Sequence, residues 1–276
     1  MLAYERFGSG EPLVLIHGIG HRRQTWYPVV DRLAEEFDVI IPDLPGHGGS
    51  RAPFDRSVPA KEAFRVAFEE LFTELGIERP HVAGNSLGGL IALELGEDDL
   101  ARSVTALSPA GFWRGPADYT YVRALFGSIL TGARLARPIA GPLAHSVTGR
   151  MALMGWLYDH PQNVAPEMVL GDLENMLRAR SLVRHLLRQA YMFIPGEPRD
   201  IPVTVAWAER DKVLLPYHAR QARKLLPHAH HVWLDHCGHV PMPDDPELVA
   251  QTIIAGARAA AGARSSAATT TVRSIA

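Results

Sequence analysis

The stretch Arg79–Gly96 reads RPHVAGNSLGGLIALELG. A short strand-type run, Pro80–Asn85, reaches a serine set between glycines, and a helix-type pattern leaves it over Leu87–Leu95. A strand that turns at once into a helix has no room for side chains at the crossing. Gly84 and Gly88 remove them, and Gly89 gives further room for helix packing. A turn this sharp holds its central residue in a strained backbone conformation. The helix that begins there aims its unpaired N–H groups and positive dipole end at the same spot. Gly-x-Ser-x-Gly alone is a weak signal, but a strand before it and a helix after it give it weight. The pattern predicts a turn built to present Ser86.

The same alternation continues on both sides. Pro12–Gly18, Asp38–Gly46, Ser103–Pro109, Pro202–Ala208 and His230–His236 are short runs rich in Val, Ile and Leu, bounded by Pro, Gly or Asp. Between them, Gln24–Phe37, Lys61–Gly76, Tyr217–Leu226 and Pro246–Ala259 place apolar residues three and four apart. Strand, helix, strand, helix predicts an α/β fold: a mostly parallel sheet flanked by helices on both faces. The segment 112–199 breaks the alternation with helical patterns and no convincing strand. A helical insert at the carboxyl edge of such a sheet is a natural lid over a site there, and a separate helical domain is the alternative. The expected organisation is a core of residues 1–111 and 200–262, a helical cap over 112–199, and an unstructured small-residue tail over 263–276.

The chain has 276 residues, 47% of them apolar, which is enough for one large α/β core. A net charge of −2, with nothing that resembles a basic nucleic-acid face, argues against nucleic-acid binding. The single cysteine, Cys237, excludes an internal disulfide framework and suits a reducing cytoplasm. The first residues lack the basic and apolar regions of a signal peptide, and no run of about 18 apolar residues predicts a membrane span.

A serine hydroxyl needs a base to take its proton and a third group to orient that base. Both come late in the chain. Asp211 lies just past the strand in AWAERDKVL, and His239 lies in the loop LDHCGHVPM after the next strand. Loops at the carboxyl ends of parallel strands open on one edge, the edge that carries Ser86. The order Ser, Asp, His is the one this arrangement uses.

On these residues the chain resembles the α/β-hydrolase fold superfamily in its capped form, from about Leu2 to Ala259. The resemblance rests on HGIG (His17–Gly20), DLPGHGGS (Asp43–Ser50), GNSLGG (Gly84–Gly89), Glu209–Leu215 before Pro216, and CGHVPMPDDPE (Cys237–Glu247). It implies Ser86 as nucleophile, His239 as base and then acid, Asp211 as the orienting acid, and the backbone N–H groups of Ile19 and Leu87 as an oxyanion hole. It also implies about seven to eight strands, with the cap inserted after the sixth. The short N-terminus predicts that the family's antiparallel first strand is missing, leaving about seven. Serine at the nucleophile position argues against dehalogenase and epoxide hydrolase chemistry. Val240 stands where carbon–carbon bond hydrolases of the superfamily usually carry Trp.

Rival residues are placed by position. His236 reads as a strand end or a solvent-facing residue. Asp200 precedes its strand and so sits at the wrong edge; Glu209 is a minor alternative to Asp211. His17 and His47 read as hydrogen-bonding supports of loops, and His228, His230 and His231 as surface residues without matched acids for a metal. Trp113, Trp156, Tyr158 and Val240 are candidate pocket residues, among an insert rich in aromatics and methionine. The expectation is a serine esterase acting on carboxylic esters, thioesters or lactones of small to medium apolar substrates. It uses no metal or organic cofactor and works as a monomer or homodimer. Hydrolysis of a vinylogous diketone, perhydrolysis, and a ligand-binding relative that does not turn over are the alternatives.

Overall fold

The computed structural model describes residues 1–51, 53–196 and 200–271, with side chains up to residue 260. Seven strands form one sheet: β1 (Tyr4–Gly8), β2 (Glu11–Ile16), β3 (Phe37–Pro42), β4 (His81–Asn85), β5 (Ser103–Leu107), β6 (Val203–Ala208) and β7 (His230–Leu234). Their order is β1-β3-β2-β4-β5-β6-β7, and every neighbouring pair is parallel except β1 with β3. Strands β3, β4 and β5 are buried at every residue, so their Val, Ile, Leu and Ala residues do not alternate strictly with polar ones.

The core helices are α1 (Tyr27–Ala34), α2 (Ala60–Leu75) and α3 (Leu87–Glu97), joined late in the chain by α8 (Tyr217–Leu225) and α9 (Pro246–Thr271). Helix α3 is buried on nearly every side, Glu94 included, as its almost continuous apolar sequence requires. Between β5 and β6 stand α4 (Pro116–Ala136), α5 (Ala140–His145), α6 (Val147–Met154) and α7 (Pro166–Arg188). No strand interrupts them.

Three expectations are corrected here. The first concerns β1. Tyr4–Gly8 pairs antiparallel with β3 and closes that edge of the sheet. Its apolar residues do not alternate, so periodicity could not reveal it; backbone pairing and an Arg6–Asp38 bidentate contact at 2.7 and 2.6 Å hold it. Second, the helical insert follows the fifth strand in chain order, not the sixth, because no strand precedes Tyr4 among the described residues. Third, helical backbone runs on to Thr271, through much of the segment expected to be an unstructured tail. Its alanines have the highest helix propensity of any residue, and they extend a helix already anchored by packing. Residues 272–276 lie outside the described residues.

The sheet order sets the location of the site. From β2 the chain crosses to β3 on one side, and from β4 it crosses to β5 on the other. The carboxyl ends of β2 and β4 therefore flank a switch point, where open α/β sheets form a crevice. HGIG leaves β2 there and Ser86 leaves β4.

Candidate functional site

Ser86 adopts φ +57°, ψ −116°, a left-handed conformation that costs a non-glycine residue about 1–3 kcal/mol. Three backbone hydrogen bonds hold it there. Its N–H donates to Leu107 O at 3.0 Å, and its carbonyl accepts from Leu90 and Ala110 N–H at 3.1 and 2.9 Å. The glycines are required by contact. A Cβ on Gly84 would lie 2.1 Å from the Gly88 carbonyl oxygen, and one on Gly88 would lie 2.1 Å from that of Ile16. Neither obstacle is a side chain that could move aside.

Asp211 and His239 meet. His239 Nδ1 lies 2.8 Å from Asp211 Oδ2, and both residues are 3% exposed. The other carboxylate oxygen, Oδ1, accepts the backbone N–H of Val213 and of Leu214, each at 2.8 Å. The carboxylate is thus fixed in orientation by two donors of its own loop. Asn85, directly before Ser86, donates from Nδ2 to the His239 carbonyl at 2.9 Å and to Leu107 O at 3.2 Å. That amide ties the histidine loop to the serine turn. Sequence reading missed it, since an asparagine within a glycine-rich turn reads as part of the turn.

Asp244 is a second missed support. Its carboxylate accepts the N–H groups of Gly238, Asp159 and His160 at 2.8, 2.9 and 2.7 Å. It therefore joins the residue before His239 to the segment that follows α6. Burial pushes its pKa up, opposed by those three backbone donors.

On the other side of Ser86, Gly18 packs so closely that a Cβ there would lie 3.2 Å from the serine Cβ. The HGIG loop is shaped by two buried histidines. His17 bonds the Gly18 carbonyl through Nδ1 at 2.8 Å and accepts Leu44 N–H at Nε2, 3.0 Å. His47 bonds Pro45 O through Nδ1 at 3.1 Å and accepts Gly20 N–H at 3.0 Å. Desolvation lowers both pKa values, that of His47 to about 4, so both rings are neutral at pH 7. Asp43 completes the support by accepting Arg23 and Gly49 N–H, each at 2.7 Å. The backbone N–H groups of Ile19 and Leu87 have no acceptor among the described residues.

Two cavities adjoin this loop. One of about 50 Å³ touches Ser86, Leu87 and Ile19 and is otherwise walled by apolar residues, among them Trp113, Tyr119, Phe126 and Val213. The other, about 360 Å³, lies among α4, α6 and α7 and is lined by Gly20, Trp156 and Met176 among others. Ile19 and Gly20, neighbours in the chain, thus face different cavities, and Met176 packs on Gly20. Tyr158 and Val240, expected in the pocket, are buried but line neither cavity. Val240 donates its N–H to Leu157 O at 3.2 Å, so it belongs to the packing between the histidine loop and the insert.

The rivals stand apart. The His236 side chain is 70% exposed and contacts Arg210, and Glu209 is exposed and accepts the His236 N–H at 3.1 Å. Cys237 is buried, and desolvation pushes its thiol up to about 12. No group of three His, Cys, Asp or Glu among the described residues could hold a metal ion.

Glu94 on α3 lies behind the smaller cavity and accepts a hydrogen bond from the hydroxyl of Tyr191, a cavity residue. Burial raises its pKa from 4.5 to about 7. Between these values the folded state binds more protons than the unfolded chain, so stability falls as pH rises. The expected loss is about 3 kcal/mol across that window. Denaturant titrations at pH 5 and pH 8 check this, and Glu94→Gln is expected to remove most of the difference.

The model of the alpha/beta hydrolase family matches residues 13–252. An uncharacterized protein of Mycobacterium tuberculosis is 28% identical over 263 residues, covering 88% of this chain and 74% of its own. Lipase 3 of a Moraxella species is 26% identical over 243 residues, with 85% and 73% covered. Among solved structures, a membrane phospholipase A described as a bacterial virulence factor superposes with a TM-score of 0.72 at 26% identity, covering 94% of this chain and 83% of that one. With the family match running from within β2 through β7, and the fold agreeing, the chain belongs to the alpha/beta hydrolase family.

Proposed function

We propose that the protein is a serine hydrolase of carboxylic esters with apolar acyl or alcohol groups. The observation that carries this reading is the buried Asp211–His239 pair, bound through Asn85 to the strained turn at Ser86. The similarity to a lipase and to a phospholipase A supports ester cleavage as the reaction class.

In this reading Ser86 attacks the ester carbonyl while His239 Nε2 takes the hydroxyl proton. Asp211 holds Nδ1 protonated and stabilises the imidazolium that forms. Charge collects on the former carbonyl oxygen, where the open N–H groups of Ile19 and Leu87 receive it; such donors typically contribute about 3–4 kcal/mol each. His239 then passes its proton to the leaving alcohol. Water repeats the sequence on the acyl-enzyme, and no cofactor enters. Helices α4–α7 act as a cap that keeps water from the acyl-enzyme and supplies the apolar walls.

A fluorophosphonate probe with a panel of p-nitrophenyl esters tests the proposal. One covalent adduct on Ser86 and loss of ester turnover in parallel are expected. An unlabelled serine, or turnover confined to vinylogous diketones, would overturn it.

A further inference from the structure

The cap carries an unusual surface. From Tyr119 to Tyr158 there is no Asp or Glu, while Arg123, Arg134, Arg137 and Arg150 fall in the same stretch of a chain whose net charge is −2. Large apolar side chains are exposed in the same region: Leu135 at 73%, Ile139 at 56%, Met151 at 55% and Val147 at 52%. Apolar groups on α4 and α6 and a basic field around them have the composition of an interfacial surface, not of a solvated one.

Arg150 is tied to the Ala144 and Gln162 carbonyls, but the other three arginines are exposed. Arg123 and Arg134 have no carboxylate within 4 Å among the described residues, and Arg137 has only the exposed Glu174 at 3.3 Å. The acids that border the stretch are engaged elsewhere. Asp118 meets Arg114 and His218, and Asp159 bonds Arg210 at 2.6 Å.

The 360 Å³ cavity opens on this face. Ser128 and Gly132 of α4 and Ala152 of α6 line it and are themselves exposed. Leu135 lies one turn beyond Gly132, and Met151 is next to Ala152. Exposed aliphatic groups thus flank a mouth framed by small residues.

We propose that the outer face of α4–α6 docks on an anionic lipid bilayer, with the cavity mouth against the lipid. Leu135, Ile139, Val147 and Met151 enter the boundary between headgroups and acyl chains, and Arg123 and Arg134 lie at the phosphates. No helix of the described residues is long and apolar enough to cross a membrane, so the contact is peripheral. Docking itself does not depend on the hydrolase reading. Only the consequence does: the bilayer would present apolar esters at the mouth of a cavity whose neighbour, across the HGIG loop, touches Ser86.

Sedimentation of the full chain with vesicles is the test. One set is phosphatidylcholine alone, and the other is equal parts phosphatidylcholine and phosphatidylglycerol. Binding to the mixed vesicles that weakens with added salt is expected. Two double variants, Leu135→Ser with Met151→Ser and Arg123→Gln with Arg134→Gln, should each lower partitioning about tenfold or more. Turnover of soluble p-nitrophenyl butyrate should stay at the wild-type level in both, so a failure of the hydrolase reading shows separately. Absence of pelleting with either vesicle, or equal pelleting of wild type and both variants, would overturn the proposal. So would a solution dimer that the Leu135→Ser, Met151→Ser variant converts to monomer, because the face would then belong to a second copy.

Discussion

Ser86→Ala is expected to reduce ester turnover by about four to six orders of magnitude, leaving the fold and the vesicle binding of the chain in place. The substitution removes one oxygen from a buried turn that the backbone already defines. The bonds that hold the turn run from the Ser86 N–H to Leu107 and from Leu90 and Ala110 to the Ser86 carbonyl, and alanine keeps all three. Its Cβ also keeps the serine's packing against Gly18. Purified variant and wild type should therefore melt within a few degrees of each other while their kcat values part. The residual rate would come from the N–H groups of Ile19 and Leu87 and from binding alone. Comparable turnover in the two proteins would place the nucleophile elsewhere.

Asp211→Asn is expected to lower kcat by about four orders of magnitude near neutral pH, through the tautomer of His239. The argument follows from which oxygen does what. Asp211 Oδ1 accepts two backbone N–H groups, so in the variant the amide oxygen must take that position. The amide NH2 then faces His239 Nδ1, where Oδ2 stood at 2.8 Å. Two donors cannot face each other, so Nδ1 gives up its proton and the ring carries it on Nε2. A protonated Nε2 cannot accept the serine proton. Raising the pH should recover part of the rate, as hydroxide removes that proton without the enzyme's help. Measuring kcat against pH for both proteins checks this, and a loss that is the same at every pH would point to damage of the loop instead.

Much of this was legible before any coordinates. The run of short apolar segments separated by amphipathic ones could only make a buried parallel sheet with helices around it. Gly84 and Gly88 announced a turn without space for side chains, and the contacts of 2.1 Å show why. His17 and His47 read as loop supports and are found bonded to the Leu44 and Gly20 N–H groups. The illegible parts share one property: their role depends on a partner distant in the chain. Strand β1 exists because β3 offers it an edge. Asn85 and Asp244 are ordinary polar residues until His239, Asp159 and His160 are brought to them. Trp156 and Tyr158 are two residues apart, yet of the two cavities beside the HGIG loop Trp156 lines one and Tyr158 neither.

By itself, then, the order of residues determined the elements, their layering and the edge at which chemistry can occur, because periodicity and steric exclusion act over a few neighbours. Tertiary packing decided which side chains face which cavity, what holds the histidine loop to the serine turn, and that the helical insert turns arginines and exposed apolar side chains outward. Those outcomes depend on contacts between distant segments, such as Asn85 and the His239 carbonyl 154 positions away, and no local rule reaches that far.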